Sequence, residues 1–135
     1  MSHPQTILYQ ELYMKKTYET GLWGEDEAEK YLTREKGMKC LEHRYRNKAG
    51  EIDLILMDRG TVVFAEVKTR TTGDRGNGLA AVNVTKQKRI MNAAILYLMK
   101  MKWMDRPIRF DLIEIHGNDI LHVPNAFQPY GDYYH

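Results

Sequence analysis

Three residues in the first half of the chain have the types and spacing of a metal-dependent hydrolytic site. Asp53 lies in a run rich in strand-forming residues, and Glu66 and Lys68 lie in the next such run. The sequence between the runs, centred on Arg59 and Gly60, is typical of a hairpin turn. If those two residues form the loop, Asp53 lies across from Glu66, and Lys68 shares their face because strand side chains alternate.

Two carboxylates held opposite each other repel unless a positive charge lies between them. We therefore expect Asp53 and Glu66 to bind Mg²⁺ or Mn²⁺ through oxygen, with the Val67 carbonyl as a further ligand. Lys68 would lie beside the activated water, where it could favour hydroxide or stabilise a negative transition state. This chemistry predicts phosphodiester hydrolysis, although an isolated Asp–Glu pair on adjacent strands is also common as a plain surface pair.

A helix before the hairpin would bring a third carboxylate. Helical periodicity predicts a helix over 22–36, ended by Gly37. Its apolar stripe consists of Ala28, Tyr31 and Leu32. Glu25 projects about 20° from Leu32, inside this stripe, where an acid is costly unless it is paired or coordinated. We therefore take Glu25 as a metal ligand, with Glu29 at the edge of the stripe as its rival.

The remaining patterns predict an α/β fold with a mixed sheet covered by helices. Strands are expected at 38–46, 51–58, 61–69, 108–115 and 120–123, with a second helix at 86–104 capped by Thr85, a glycine-rich loop at 71–83 and an irregular tail from 124. The long helix between the third and fourth strands predicts that those strands are parallel neighbours. Residues 1–20 are expected to be a separate appendage before a domain at 21–129, and 130–135 a tail.

Composition describes a globular chain of one domain. The chain has 135 residues, 43% of them hydrophobic and 28% charged. No apolar run reaches the roughly 18 residues that span a bilayer, and residues 1–10 lack a signal-peptide pattern, so we expect no membrane association. Cys40 is the only cysteine, which excludes an internal disulfide and fits the cytoplasm. The five histidines and this cysteine show no spacing typical of zinc.

The distribution of basic residues is more informative than the net charge. A formal charge of +2 is too small to indicate nucleic-acid binding by itself. Three basic clusters nevertheless flank the acidic hairpin in sequence: Arg44, Arg46 and Lys48; Lys68, Arg70 and Arg75; and Lys86, Lys88 and Arg89. Each cluster alone is typical of a solvated face. Together with the acids they predict contacts with a phosphate backbone, through Arg44, Arg46, Arg70 and Lys86.

The stretches that carry these residues resemble a known family. They are Gly24-Glu25, Gly-Glu-Ile-Asp-Leu-Ile at 50–55 and Phe-Ala-Glu-Val-Lys-Thr-Arg at 64–70. Over about residues 21–129 the chain resembles the YraN-like family of predicted bacterial endonucleases, which is related to Holliday junction resolvases within the PD-(D/E)xK nuclease superfamily. The chain departs from that superfamily's Pro-Asp pair, because Ile52 precedes Asp53.

The resemblance implies a restriction-endonuclease-like core, with a central mixed β-sheet flanked by helices. It also implies that Asp53, Glu66 and Lys68 occupy catalytic positions, that Glu25 is the acid of the first helix, and that Lys86 contacts phosphate. The expected activity is that of a Mg²⁺-dependent endonuclease acting on DNA, such as branched recombination or repair intermediates, selected by structure rather than sequence. A homodimer is implied by resemblance only. The alternatives are a non-catalytic nucleic-acid-binding module and an assembly protein that does not bind DNA.

Overall fold

The computed structural model describes residues 4–70 and 83–128. A five-stranded sheet, in the order β1-β2-β3-β4-β5, lies between two helices. The elements are α1 (Pro4–Lys30), which continues into a π-helical turn (Tyr31–Glu35), then β1 (Lys39–Asn47), β2 (Gly50–Asp58), β3 (Thr61–Arg70), α2 (Val84–Met101), β4 (Ile108–His116) and β5 (Asp119–Phe127). No helix within these described residues is both long and apolar enough to cross a membrane.

The sheet is mixed, as the order of elements predicts. Strands β1, β2 and β3 are antiparallel neighbours, and so are β4 and β5. Strands β3 and β4 are parallel, from Val62 beside Ile108 to Arg70 beside His116. Helix α2 makes the crossover between them, because two parallel strands require a long connection. The α/β fold class predicted from the sequence is therefore confirmed.

The β2–β3 hairpin has the register predicted from its turn. Arg59 and Gly60 both have positive φ angles, 51° and 88°, which matches a two-residue turn that suits strand twist. Asp58 pairs with Thr61, and the same register continues to Leu54 and Ala65.

Each face of the sheet packs against one helix. On one face, Ala28 of α1 and Leu32 of the π-helical turn are fully buried against a cluster that includes Leu54, Leu56 and Val63. We call this the α1 face. On the other, the α2 face, the apolar stripe of α2 packs with Ile55, Phe64 and Phe110. The predicted stripe of the first helix is buried at Ala28 and Leu32 and half-buried at Tyr31. The buried residues of α2 are Ile90, Met91, Ala93, Ala94, Tyr97 and Leu98.

The ends of several elements differ from the sequence predictions. Helix α1 begins at Pro4 rather than at residue 22, so residues 4–20 continue the same helix; the division of the chain at residue 20 stays a prediction. Strand β5 reaches Phe127 rather than ending at 123, because a register shift lets Phe127 pair with Phe110. Residues 71–82 of the predicted loop and the predicted tail at 130–135 lie outside the described residues.

The cap of α2 is Asn83 rather than the predicted Thr85. The Asn83 Oδ1 atom accepts a hydrogen bond from the Lys86 backbone N–H at 2.9 Å. An asparagine cap satisfies one of the amides that a helix start leaves unpaired. The cap therefore determines where the first turn of α2, which contains Lys86, begins.

Candidate functional site

The sheet opens where β2 and β3 stop pairing. Their last paired residues are Leu54 and Ala65. Strand β2 stays paired with β1 from Met57 to Gly50, and β3 stays paired with β4 from Val62 to Arg70, so only the pairing between β2 and β3 ends here. Asp53 and Glu66 are therefore the first residues past the point where the two strands separate. We call this point, with these two residues, the fork.

Asp53 takes the place of a main-chain partner at the fork. Its Oδ2 atom accepts a hydrogen bond from the Val67 backbone N–H at 2.8 Å. The alternation of β2 also reverses here, since Leu54 packs on the α1 face and Ile52 packs on the α2 face. On β1 the backbone of Arg44 has a φ of 49°, which an arginine rarely adopts. Asp53 is thus held between the two layers of the protein.

Glu66 is buried between two lysines. It is 6% exposed, and its Oε1 atom lies 2.5 Å from Lys86 Nζ and 3.5 Å from Lys68 Nζ. Lys68 follows on the same strand and shares the face of Glu66, whereas Lys86 comes from the first turn of α2. Lys86 therefore lies at the fork itself, and not on a separate basic surface.

Glu25 approaches the fork from α1. The preceding residue, Gly24, packs so tightly on β3 that a Cβ atom there would overlap the Thr69 side chain. Glu25 Oε2 is buried and has no hydrogen-bond partner among the described residues, and Arg44 Nη1 is its ion-pair partner at 3.8 Å. Burial raises the pKa of Glu25, and the Arg44 guanidinium only partly offsets this effect.

The charges at the fork perturb one another. The pKa of Asp53 is raised well above its ordinary value by burial and by the charge of Glu66, with a further contribution from Glu25. Burial lowers the pKa of Lys68, and the neighbouring Lys86 adds to this. Burial would also lower the pKa of Lys86, but its contacts with Glu66 and Lys68 outweigh burial and raise it. Perturbed groups of this kind concentrate at functional sites.

The donor set fits a hard divalent cation. Glu25, Asp53 and Glu66 offer carboxylate oxygens, which Mg²⁺ and Mn²⁺ prefer, and the buried Glu25 Oε2 accepts no hydrogen bond among the described residues. The ligand atoms of these three acids do not all lie within 4.8 Å of one another in the described structure. Mg²⁺ needs only one or two carboxylates when phosphate oxygens and water complete its shell. The Val67 carbonyl as a ligand stays a prediction.

A cleft borders the fork on the α2 face. Its volume is about 490 Å³, and it is lined by Gly50, Glu51, Asn83, Thr85, Lys86, Arg89 and Ile90. A Cβ atom on Gly50 would come within 3.3 Å of the Arg89 carbonyl oxygen, so this glycine lets the sheet and α2 approach closely.

The four basic residues predicted to contact nucleic acid lie in different surroundings. Lys86 is at the fork, and Arg44 is paired with Glu25. Arg46 is 77% exposed and its Nη2 atom lies 3.0 Å from Glu51 Oε2. Arg70 ends strand β3 and is half-buried. The structure therefore brings two of the four, Lys86 and Arg44, into contact with the acids of the site.

Two further side-chain clusters lie away from the fork. Glu29, the predicted rival of Glu25, lies instead beside His43, with 3.9 Å between Oε2 and Nδ1. Asp111 on β4 is fully buried and binds two basic side chains: its carboxylate accepts hydrogen bonds from Arg109 and lies 2.8 Å from His122 Nε2. Arg109 and Asp111 are two residues apart on one strand, so alternation predicts that they share a face. The approach of His122 has no local signal, because β4 and β5 pair with a register shift.

The fold and the fork define a class: an α/β protein with a mixed sheet that opens at a cluster of acids and lysines. Residues 24–115 match the model of a family described as "Uncharacterised protein family UPF0102", and the chain belongs to that family. A UPF0102 protein of Methylibium petroleiphilum is 44% identical over 121 residues, covering 84% of this chain and 98% of its own. A UPF0102 protein of Geobacter metallireducens is 43% identical over 112 residues, covering 80% of this chain and 91% of its own.

Proposed function

We propose that this protein is a metal-dependent endonuclease that hydrolyses phosphodiester bonds in DNA. The observation that carries the proposal is the fork, where Asp53 and Glu66 meet at the point of strand separation with Lys68 and Lys86 against Glu66. Paired acids with adjacent lysines suit phosphoryl chemistry, because the acids hold cations and the lysines stabilise added negative charge.

Each side chain has a separate part in this proposal. Glu25, Asp53 and Glu66 hold Mg²⁺ or Mn²⁺, which when bound activates water and offsets charge on the phosphate. Lys68, held against Glu66, stabilises the negative charge that develops on the phosphoryl oxygens. Lys86 neutralises Glu66 in the absence of substrate and turns to a phosphate when DNA enters the cleft.

The substrate follows from the surfaces near the fork. The contacts with the DNA backbone beside the cleft come from Arg44, Arg46 and Arg70. Such contacts recognise the charge and shape of the DNA rather than its base sequence. We therefore propose branched or otherwise structured DNA, handled in the cytoplasm. A homodimer, in which two forks cut two strands, is part of the same proposal.

The test is a cleavage assay with labelled four-way, flap, single-stranded and duplex DNA, each with Mg²⁺ or Mn²⁺. The wild-type protein should cut at least one of these structures. Asp53→Asn should lower the rate at least about 100-fold, because it removes the ligand charge, while DNA binding remains within a few-fold. The matched control is Asp105→Asn, which changes an exposed aspartate in the turn after α2 and should leave cutting unchanged.

Two results would replace the proposal with its alternatives. If the protein binds DNA in a salt-dependent way but cuts none of the structures with either metal, it is a non-catalytic nucleic-acid-binding module. If binding is absent or does not weaken with salt, the backbone contacts are missing, and an assembly role without DNA takes precedence.

A further inference from the structure

A bulge in β1 places two side chains that can bind metal, a cysteine and a histidine, on one face of the sheet. In a regular strand, residues three apart point to opposite faces. The register of β1 shifts between Cys40 and Glu42, so Cys40 pairs with Leu56 while His43 pairs with Leu54. Leu54 and Leu56 both pack on the α1 face. Cys40 and His43 therefore point to that same face.

Helix α1 supplies a third ligand at the same place. Glu29 lies over β1, with its Oε2 atom 3.9 Å from His43 Nδ1. The Cys40 sulfur, a ring nitrogen of His43 and a carboxylate oxygen of Glu29 all lie within 4.8 Å of one another. Among residues 4–70 and 83–128 no other three His, Cys, Asp or Glu side chains bring ligand atoms so close together.

We propose that Glu29, Cys40 and His43 form a zinc site that ties the edge strand β1 to helix α1. Sulfur, imidazole nitrogen and carboxylate oxygen are the three ligand types that Zn²⁺ takes, and three of them leave one position for water. The site is distinct from the fork, whose oxygen-only donors suit Mg²⁺ or Mn²⁺ instead.

The separations allow an ion to be bound without a change in the fold. Tetrahedral zinc with bonds of about 2.0 to 2.3 Å places its ligand atoms roughly 3.5 Å apart. The present separations, up to 4.8 Å, exceed that by about an ångström, which side-chain rotation can supply. His43 is 61% exposed on its side chain and therefore free to turn, and the water position would face solvent.

The Cys40 thiol stays protonated when no metal is bound. Burial, with the neighbouring Glu29, raises the pKa of Cys40 to about 12. Its sulfur lies 3.6 Å from the Glu42 carbonyl oxygen, to which the thiol donates. A coordinating metal releases the thiol proton to solvent and forms the metal–sulfur bond in its place.

The position of the site gives it a structural consequence. Glu29 lies one helical turn beyond Glu25, and His43 precedes Arg44, the ion-pair partner of Glu25. A metal that joins Glu29 to β1 would hold α1 in the register that brings Glu25 to the fork. The zinc site does not depend on whether the protein cleaves DNA at the fork.

Cobalt binding to the metal-free full-length chain tests the site. Co²⁺ should bind at one equivalent and give a thiolate-to-cobalt charge-transfer band, which Zn²⁺ then abolishes by displacement. Because Cys40 is the only cysteine, such a band can arise from no other residue. Cys40→Ser should remove the band, and His43→Asn and Glu29→Gln should each weaken binding about tenfold or more.

The controls are Glu35→Gln, an exposed acid just beyond α1, and His116→Asn at the end of β4; both should keep the band and its affinity. Zinc should also raise the midpoint of thermal unfolding of the wild type but not of Cys40→Ser, a readout that shows whether each variant folds. The proposal is overturned if the wild type gives no band. It is equally overturned if cobalt keeps its full affinity in either His43→Asn or Glu29→Gln.

Discussion

Two aspartates, Asp53 on β2 and Asp111 on β4, show how the charges around a carboxylate decide its effect. Asp53 is surrounded by other acids, and burial together with the charge of Glu66 raises its pKa. Asp111 is surrounded by bases. Burial acts to raise its pKa, but the hydrogen bonds from His122, Arg109 and the Asn125 backbone outweigh burial and lower it. The charge of an aspartate therefore destabilises the folded state at Asp53 and stabilises it at Asp111.

This contrast predicts opposite effects of the same substitution. In metal-free protein, Asp53→Asn should raise the free energy of unfolding by about 1 kcal/mol, because it removes repulsion and keeps an oxygen for the Val67 N–H. Asp111→Asn should lower it by about 2 to 4 kcal/mol, because Arg109 and His122 lose a charged partner. Urea unfolding of the three proteins measures both. Two shifts of the same sign would contradict this account of the fork.

The lowered pKa of Asp111 also predicts a pH dependence. The folded protein binds fewer protons at Asp111 than the unfolded chain, whose value is near 3.8, so the stabilisation is complete above that pH. It disappears as the pH falls through the lower pKa of the folded state. The stability difference between wild type and Asp111→Asn should therefore be largest at neutral pH and shrink below about pH 4. Urea midpoints at a series of pH values test this, and a constant difference would refute it.

At the scale of the elements, close approaches position the site. Helix α1 reaches β3 at Gly24, where the Thr69 side chain occupies the space of a Cβ atom. Gly21, one turn earlier in the same helix, has no atom within 4 Å of such a position. Packing against β3 therefore requires a glycine at position 24 but not at position 21.

A pair of alanine substitutions separates these reasons. Gly21→Ala should raise the free energy of unfolding by about 0.5 to 1 kcal/mol, the ordinary gain of alanine over glycine in a helix. Gly24→Ala should lower it by about 1 to 3 kcal/mol, because Thr69 must move or α1 must lift from the sheet. Thermal or urea unfolding of both variants decides the matter. A gain at Gly24 equal to that at Gly21 would show that the approach is not tight.

The start of α2 depends on one side chain. Asn83→Ala removes the acceptor for the Lys86 N–H and should cost about 1 kcal/mol. Asn92→Ala, an exposed position inside the same helix, is the matched control and should be neutral or slightly stabilising. Urea unfolding again measures both effects. Equal effects at the two positions would mean that Asn83 does not cap the helix in solution.

At the scale of the whole molecule, acids neutralise several of the basic residues. Arg44 is paired with Glu25, Arg46 with Glu51, and Lys86 with Glu66. Together with a formal charge of +2, this predicts a DNA affinity that depends on a small number of phosphate contacts near the fork, and not on a broad positive surface.

The proposed DNA contact at Arg46 has a measurable signature. Arg46→Ala should weaken binding to every DNA structure and reduce the slope of log K against log salt by about 1. Lys100→Ala, an exposed charge roughly 20 Å further along α2 than Lys86, should leave the slope unchanged. Binding titrations at several salt concentrations test both variants. Equal changes of the salt slope in the Arg46 and Lys100 variants would show that Arg46 has no particular contact with DNA.

The sequence by itself determined the elements and the hairpin register. Helical and strand periodicity, a two-residue turn and a crossover helix are local signals, and they led to the mixed sheet, the apolar stripes and the hairpin register from Asp58 and Thr61 to Leu54 and Ala65. Only the tertiary structure decided what depends on pairing between distant strands. The fork exists because β2 and β3 stop pairing with each other at Leu54 and Ala65 while each stays paired with its outer neighbour. Cys40 and His43 share a face because β1 bulges. Neither feature has a local signal, because a register shift is set by the partner strand and by the packing on both faces.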